Sequence, residues 1–304
     1  MNHARPFVSV VLPTRNRPGP LGDLLDALAG QEYPTGRFET ILVDDGGSSS
    51  LEAVVAPYRE RLCATLMRVP HSWPAAARQA GVDVARGELL AFTDDDCRPA
   101  TGWLPALERS ALATPGAAIG GPVVNALNAN LYSEATHLVV RELCQLLCTE
   151  QGEPRYLTTT NIAFPAERFR AIGGLDRTWR LSGGEDRELC CRWERAGHRI
   201  VFAPDALVGH AHHLDLVSFL RQHFNYGRGA FRFRYTAAGR SVRRIAFENW
   251  RFYARLLGSS LASFPPPRAA AVAGLVACSQ LANAAGFVRE AYGLVNRSVA
   301  SAQP

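Results

Sequence analysis

The sequence predicts an open α/β sheet with a mainly helical extension at its carboxyl end. Two patterns carry this prediction. Over the first 125 residues, continuous apolar runs alternate with segments of helical period, and the runs end in polar or acidic residues. Beyond about Leu214 the alternation stops and arginine, aromatic and then long uncharged stretches follow. The expected boundaries are 1–214 for the sheet domain and 215–304 for the extension. A chain of 304 residues with 47% apolar content suits one large domain with an appendage.

Phe7 to Leu12 is an apolar run broken only by Ser9, as expected of a parallel strand covered on both faces. Leu21, Leu24, Leu25 and Leu28 then recur at i, i+3, i+4 and i+7, the period of an amphipathic helix. Thr40 to Val43 reads as a second strand ending at Asp44 and Asp45. Pro74 to Arg86 reads as a helix stopped by Gly87. Leu89 to Thr93 reads as a third strand, ending at Asp94. Thr158 to Phe164 and Arg199 to Ala203 are expected to close the same sheet. Between them, Leu189, Cys190, Trp193 and Ala196 give the segment Glu185 to Ala196 an apolar helical face, and Gly197 ends it. Open sheets of this kind bind ligands in the crevice beyond their strands' carboxyl ends.

The formal charge is +5, and every basic residue is arginine. Seven scattered cysteines show no zinc-ligand spacing, so buried free thiols are expected. The first apolar run spans six residues, too short for a secretory leader, which points to a cytoplasmic chain.

The stretch LAFTDDDCRP, residues 90 to 99, ends a buried strand in three consecutive carboxylates. Such a cluster is tolerable where a cation neutralises it, and Mg²⁺ or Mn²⁺ takes carboxylates together with substrate phosphates. Asp44 and Asp45, followed by Gly46 and Gly47, tip what reads as a neighbouring strand facing the same crevice. Thr14, Arg15, Asn16 and Arg17 bring hydrogen-bond donors to that edge. Arg78, on the helix before the acidic strand, is placed to reach a phosphate. A solvated turn and a surface ion pair are the plain alternatives.

Five ordered motifs strengthen the reading: VSVVLPTRNR, ILVDDGGSSS, AARQAGVDVARGELLAFTDDDC, GGLD and GGEDRELCCR. Together, over about residues 7 to 213, they resemble family 2 of the glycosyltransferases. The resemblance implies the GT-A fold, a Rossmann-like open mixed sheet flanked by helices, and inverting transfer from a nucleoside-diphosphate sugar. It implies that Pro13, Thr14 and Arg15 line the nucleotide site and that Asp45, with Asp44 beside it, binds the base. It puts Arg78 near the phosphates. The family's DxD falls on Asp94 and Asp96 with Asp95 between, holding the ribose and, through Mn²⁺ or Mg²⁺, the diphosphate. Asp96 is then the direct metal ligand. Gly47, Ser50 and Gln79 depart from the usual serine, acid and asparagine of the family's motifs, which bears on base recognition.

Inverting transfer needs a general base for the acceptor hydroxyl. Glu185 and Asp186 open a helix behind Gly183 and Gly184. Acids there also serve as ordinary dipole partners, but the resemblance implies that Asp186 is the base and leaves Glu185 to contact the acceptor or orient the loop. It further suggests that the GGLD segment, residues 173 to 176, shapes the acceptor side. It assigns a late histidine to the metal, His210 first and His212 second; manganese accepts imidazole more readily than magnesium does. Trp179 reads as core or as a platform for a sugar face.

From Arg221 to Arg244 there are seven arginines and no acid, interleaved with Phe224, Tyr226, Phe231, Phe233 and Tyr235. No nucleic-acid-binding motif accompanies them, so no nucleic-acid partner is expected. Anionic lipid or a lipid-linked acceptor suits the composition, as does a solvated basic face. A helix carrying Phe247, Trp250, Ala254 and Leu257 on one face follows, then Pro265 to Pro267. Ala269 to Val288 is twenty residues without a charge, expected as a packed or membrane-surface helix rather than a span. A nucleotidyltransferase and a non-catalytic nucleotide-sugar-binding module are the alternative functions. The first lacks a glycine-rich basic loop here; the second has no use for the GGED helix.

Overall fold

The amino-terminal apolar run forms β1 (Val8–Thr14), buried along almost its whole length. The computed structural model describes residues 5–239, 245 and 250–300. After β1 comes α1 (Pro18–Ala29), which opens on a proline where the missing N–H costs no helical bond. Its Leu21, Leu24, Leu25 and Leu28 are fully buried. Then follow β2 (Phe38–Asp45), α2 (Glu52–Val55), β3 (Ala64–Val69), α3 (Trp73–Val84) and β4 (Leu89–Phe92). Next come β5 (Cys97–Pro99), α4 (Trp103–Ala113), β6 (Ala118–Gly120), β7 (Val123–Asn125) and α5 (Leu131–Leu146). The chain continues through β8 (Ile162–Pro165), α6 (Ala166–Ala171), α7 (Glu185–Arg195), β9 (Ile200–Phe202) and β10 (Val208–His210). Three helices close it: α8 (Leu216–Ala237), α9 (Trp250–Ala262) and α10 (Pro266–Ala300).

Two units are distinguishable. The first comprises Met1–Ala126, Leu147–Arg180 and Leu189–His212. It holds a seven-stranded sheet in the order β3-β2-β1-β4-β8-β6-β9 and a three-stranded sheet in the order β5-β10-β7. β1 pairs in parallel with both β2 and β4, whereas β8 runs antiparallel to β4 and β6. The mixed sheet matches the expected class. On β1, the ladder with β4 spans only Val8 to Val11, so Pro13 lies beyond it, where its missing donor is not needed. Leu21, Leu24 and Leu28 of α1 pack with Val10, Leu42, Trp103 and Leu107 into the core on one side of the sheet.

Three expectations are corrected. The strand ending in Asp94 is the fourth, because Ala64–Val69 also forms a strand. The two acid-tipped strands, β2 and β4, are not neighbours: β1 stands between them. The segment expected as a strand from Thr158 is extended only from Ile162, where its ladder with β4 begins.

The second unit comprises Leu127–Leu146, Leu181–Glu188 and His213–Pro304. Its core joins Leu138 of α5, Phe219 of α8, Phe252 and Leu256 of α9, and Val272 and Val276 of α10. Asp215 caps α8 through Ser218 in a reciprocal pair of bonds. The uncharged stretch thus lies in a helix that packs through one side, with Val272 and Val276, on this unit's other helices. Over Pro266–Leu294 that helix is nevertheless long and apolar enough to cross a membrane, by length and composition. Arg240, Arg243, Arg244 and Phe247 of the basic and aromatic segment lie outside the described residues. All seven cysteines are free thiols.

Candidate active site

In the first unit, the turn after β4 carries Asp94, Asp95 and Asp96, and three elements converge on it. From the end of β1, Thr14 Oγ1 donates to Asp95 Oδ2 at 2.9 Å. From the entry to α1, Arg17 Nη1 donates to Asp95 Oδ1 at 2.7 Å and Nη2 to Asp96 Oδ2 at 2.8 Å. From α3, buried Arg78 donates through Nη2 to Asp94 Oδ1. Asp94 Oδ2 also accepts from Thr160 Oγ1 at 3.0 Å. The pairing of β10 with β5 fixes the fourth side: Ala211 N–H donates to the Asp96 carbonyl at 2.8 Å, and His210 Nε2 lies 3.1 Å from Asp96 Oδ1.

The electrostatics separate the three acids. Burial pushes the Asp95 carboxyl up to about 7, aided by Asp96 and opposed by Arg17. Burial acts on Asp96 too, but His210 and Arg17 outweigh it and hold this carboxyl well below the usual range. For His210, burial disfavours the charge, and the facing Asp96 reverses that and raises it. Burial lowers His212 to about 4, with His210 and Arg17 adding to the effect.

One carboxylate and two imidazoles therefore converge: ligand atoms of Asp96, His210 and His212 lie within 4.8 Å of one another. Oxygen and imidazole donors of this kind suit manganese. Asp94, Asp96 and Cys97 form an overlapping group. Burial and the adjacent Asp94 and Asp96 push the Cys97 thiol well up, which makes it the poorer donor.

A second cluster lies at the end of β2. Asp45 Oδ1 accepts from Ser72 N–H at 2.6 Å and Ser72 Oγ at 3.0 Å, and Oδ2 lies 2.8 Å from His71 Nδ1. Exposed Arg15 reaches the other face of the same ring, its Nη1 3.3 Å from His71 Nε2. Asp44 is turned into its own loop, accepting from Gly47 N–H at 2.8 Å, with Arg68 Nε at 3.5 Å. Asn16 Oδ1 accepts from Ser48 N–H at 2.7 Å and so ties the β1 end to this loop.

The expected nucleotide and metal residues thus fall in two groups flanking β1. Thr14, Arg78, Asp94, Asp95, Asp96 and His210 form one; Arg15, Asp44 and Asp45 form the other, and Pro13 lies on β1 itself. Thr160, His71 and Ser72 were not expected from sequence, and Arg17 was expected only as a hydrogen-bond donor at the edge of the crevice. Arg17 stood inside the quoted TRNR run, and His71-Ser72 directly precedes Trp73-Pro74 at the start of α3, so both had a positional signal.

Glu185 and Asp186 belong to the second unit and open α7. Glu185 is buried, and its Oε2 accepts from Gly183 N–H at 2.7 Å. Gly183 and Gly184 adopt φ of 114° and 87°, a region that disfavours any side chain. Their loop packs on α8, where a Cβ on Gly229 would meet the Gly183 oxygen at 2.1 Å. Arg187 stacks on Phe233, 4.7 Å from the ring centroid.

The sequence matches the family described as glycosyl transferase family 2 over residues 9–171, and the related glycosyl transferase family group 2 over residues 91–287. The mixed sheet, the acid-tipped strands and these matches define the class: the chain belongs to glycosyl transferase family 2, with the GT-A fold. It is 31% identical over 234 residues to a pre-mycofactocin glycosyltransferase of Mycobacterium tuberculosis, covering 73% of this chain and 46% of that protein. The chain thus spans about half the length of that relative. In structure it resembles a mannosyltransferase from Pyrobaculum calidifontis in complex with GDP-Man and Mn²⁺, with a TM-score of 0.65, 20% identity, and coverage of 96% of this chain and 88% of that one. It also resembles Staphylococcus aureus TarS 1-349 in complex with UDP-GlcNAc, with a TM-score of 0.56, 15% identity, and coverage of 94% and 91%.

Proposed function

We propose that the chain is a metal-dependent inverting glycosyltransferase that moves a sugar from a nucleoside-diphosphate sugar to an acceptor hydroxyl. The observation that carries this reading is the cluster at the end of β4, where three acids meet two arginines and two imidazoles. Mn²⁺ or Mg²⁺ would be held by Asp96 and His210, with Asp94 and His212 beside them; when bound, it supplies positive charge against the departing diphosphate.

The remaining roles belong to the chain's own side chains. Arg78 donates to phosphate oxygens, adding fixed positive charge where negative charge develops. Asp94 and Asp95 accept from the ribose hydroxyls. Pro13, Thr14 and Arg15 line the nucleoside, and Asp45, with Asp44 behind it, faces the base. Asp186 takes the proton from the acceptor hydroxyl, which attacks the sugar carbon opposite its leaving group. Glu185 holds the loop before α7 through Gly183 and so orients the acceptor side. The catalytic domain in this reading is residues 1–214.

UDP is the first donor nucleotide to test. GDP belongs beside it, because the two similar structures carry GDP-Man and UDP-GlcNAc. The acceptor in this reading is a carbohydrate or lipid-linked sugar, as in polysaccharide, glycolipid or cell-envelope biosynthesis. Peripheral membrane contact, at the cytoplasmic face, fits the outward side of α9. There Trp250 (71% exposed), Tyr253, Leu257 and Leu261 stand in solvent, and the helix itself carries arginines and no acid.

A screen of UDP-, GDP- and dTDP-sugars with Mn²⁺ or Mg²⁺, read as nucleotide release, tests the activity. Release from at least one donor, abolished by EDTA, is expected. No release from any donor, with no binding of the free nucleotides, would overturn the assignment. For the membrane, the full chain should sediment with anionic vesicles, and Trp250→Ser with Leu261→Ser should reduce that. Equal sedimentation of parent and variant removes the contact.

A further inference from the structure

The acidic turn already contains a cation. Arg17 lies across two carboxylates, with one guanidinium nitrogen on Asp95 and the other on Asp96. Such a two-pronged, charge-assisted arrangement is among the stronger polar contacts a protein makes. Asp96 is therefore shared: Oδ1 faces His210, and Oδ2 is taken by Arg17. Asp96 is also the acid that joins His210 and His212 in the group of converging metal donors. Arg17 and a divalent cation would thus draw on one carboxylate.

The surroundings allow the side chain to leave without the backbone. The Arg17 carbonyl accepts from Leu21 N–H at 3.1 Å, which pins its main chain at the start of α1. Its side chain is 38% exposed, whereas Asp95 and Asp96 are almost wholly buried. Arg78 differs: it is buried on α3 and committed to the third acid, Asp94, so it is no substitute for Arg17.

We propose that Arg17 is the resident counter-cation of the acidic turn, and that a divalent metal binds Asp96 by displacing it. Arg17 keeps three adjacent acids compatible with folding before the metal arrives. It thereby sets the metal concentration at which the site fills, because binding must first break the Arg17–Asp96 contact. This inference rests on the metal-dependent reading above and adds to it a residue that opposes metal binding.

The test is Mn²⁺ affinity measured on the full chain without nucleotide, by electron paramagnetic resonance of the free ion. Arg17→Gln removes the competing charge and should bind Mn²⁺ more tightly, by about five-fold or more, as expected when a competing conformer is removed. The metal-free Arg17→Gln protein should melt below the parent, with Mn²⁺ restoring most of the difference. Arg17→Lys, which keeps one charge but cannot span two carboxylates, should fall between the two in affinity and stands in if the glutamine variant fails to fold. Parent and variants binding equally well would overturn the proposal while leaving the metal site intact, and weaker binding by both variants would make Arg17 a supporting residue instead. Absence of Mn²⁺ binding by every form would overturn the metal-dependent reading and this inference with it.

Discussion

Gly81 offers a sharp test of how the helix bearing Arg78 is seated. A Cβ at this position would stand 2.6 Å from Val11 Cγ1, 3.0 Å from Val43 Cγ2 and 3.4 Å from Ile41 Cγ2. Carbon atoms prefer about 3.5–4.0 Å, so Gly81→Ala demands a retreat of roughly 1 Å. The obstacles are β-branched side chains on β1 and β2, stiff at χ1, and cannot simply rotate away. Overpacking of this kind costs about 1–3 kcal/mol. Alanine's better helix propensity returns about 1 kcal/mol. The balance predicts a net loss of up to about 2 kcal/mol in urea unfolding, about 1–3 kcal/mol worse than a glycine-to-alanine change in open space. Arg78 lies one turn earlier on α3, so the retreat also draws it from Asp94, and donor turnover should fall. Gly19→Ala in α1 is the control, since nothing lies within 4 Å of its Cβ and it should be neutral or stabilising. If Gly81→Ala is stabilised as much as Gly19→Ala, the close approach of α3 to the sheet is wrong.

Other perturbations address the sheet's far end and the chemistry. Buried Glu39 accepts from Ser9 Oγ at 2.7 Å, from Arg86 N–H at 2.8 Å and from Arg86 Nε at 2.9 Å. Burial alone would raise this carboxyl, but these bonds outweigh it and lower it. A lowered folded value stabilises above the unfolded value of 4.5 and is lost as pH falls through the folded one. Glu39→Gln should therefore cost about 1–3 kcal/mol at pH 7, because an amide N–H then faces Arg86 Nε. The gap in urea midpoint should shrink toward pH 3, and an unchanged gap would contradict the argument. Asp186→Asn should reduce transfer by at least about 100-fold, the scale of a lost general base, with nucleotide affinity kept within about two-fold on the same scale of argument. Surviving activity would move the base elsewhere. Asp96→Asn should abolish the response of melting temperature to Mn²⁺, and a persistent response would place the metal on other ligands.

The central sheet was legible because its strands announce themselves. β1 and β2 are mainly apolar runs ending in polar or acidic residues, and α1 repeats leucine at helical spacing. β3 escaped notice because its residues, ATLMRV, are half exposed at the sheet edge and carry no clear alternation. β5, β6, β7 and β10 have three residues each, too few for any period to register. The site divides the same way. Three adjacent acids are visible in any sequence, whereas their partners are not: Thr14 meets Asp95 across 81 positions and Thr160 meets Asp94 across 66. His71 and Ser72 gain meaning only once β2 and the start of α3 bring them onto Asp45. The spacing of β2 and β4 also lay beyond the sequence, which records chain order but not which strand is inserted between two others.

That inserted strand has a consequence for how the domain can be redesigned. β1 stands between the two acid-tipped strands, and the bonds of His71 and Ser72 to Asp45 are made locally at the end of β2. Under the proposed function, the 71–72 turn is then the natural place to begin when redesigning base recognition, because its contacts with Asp45 are confined to the end of β2.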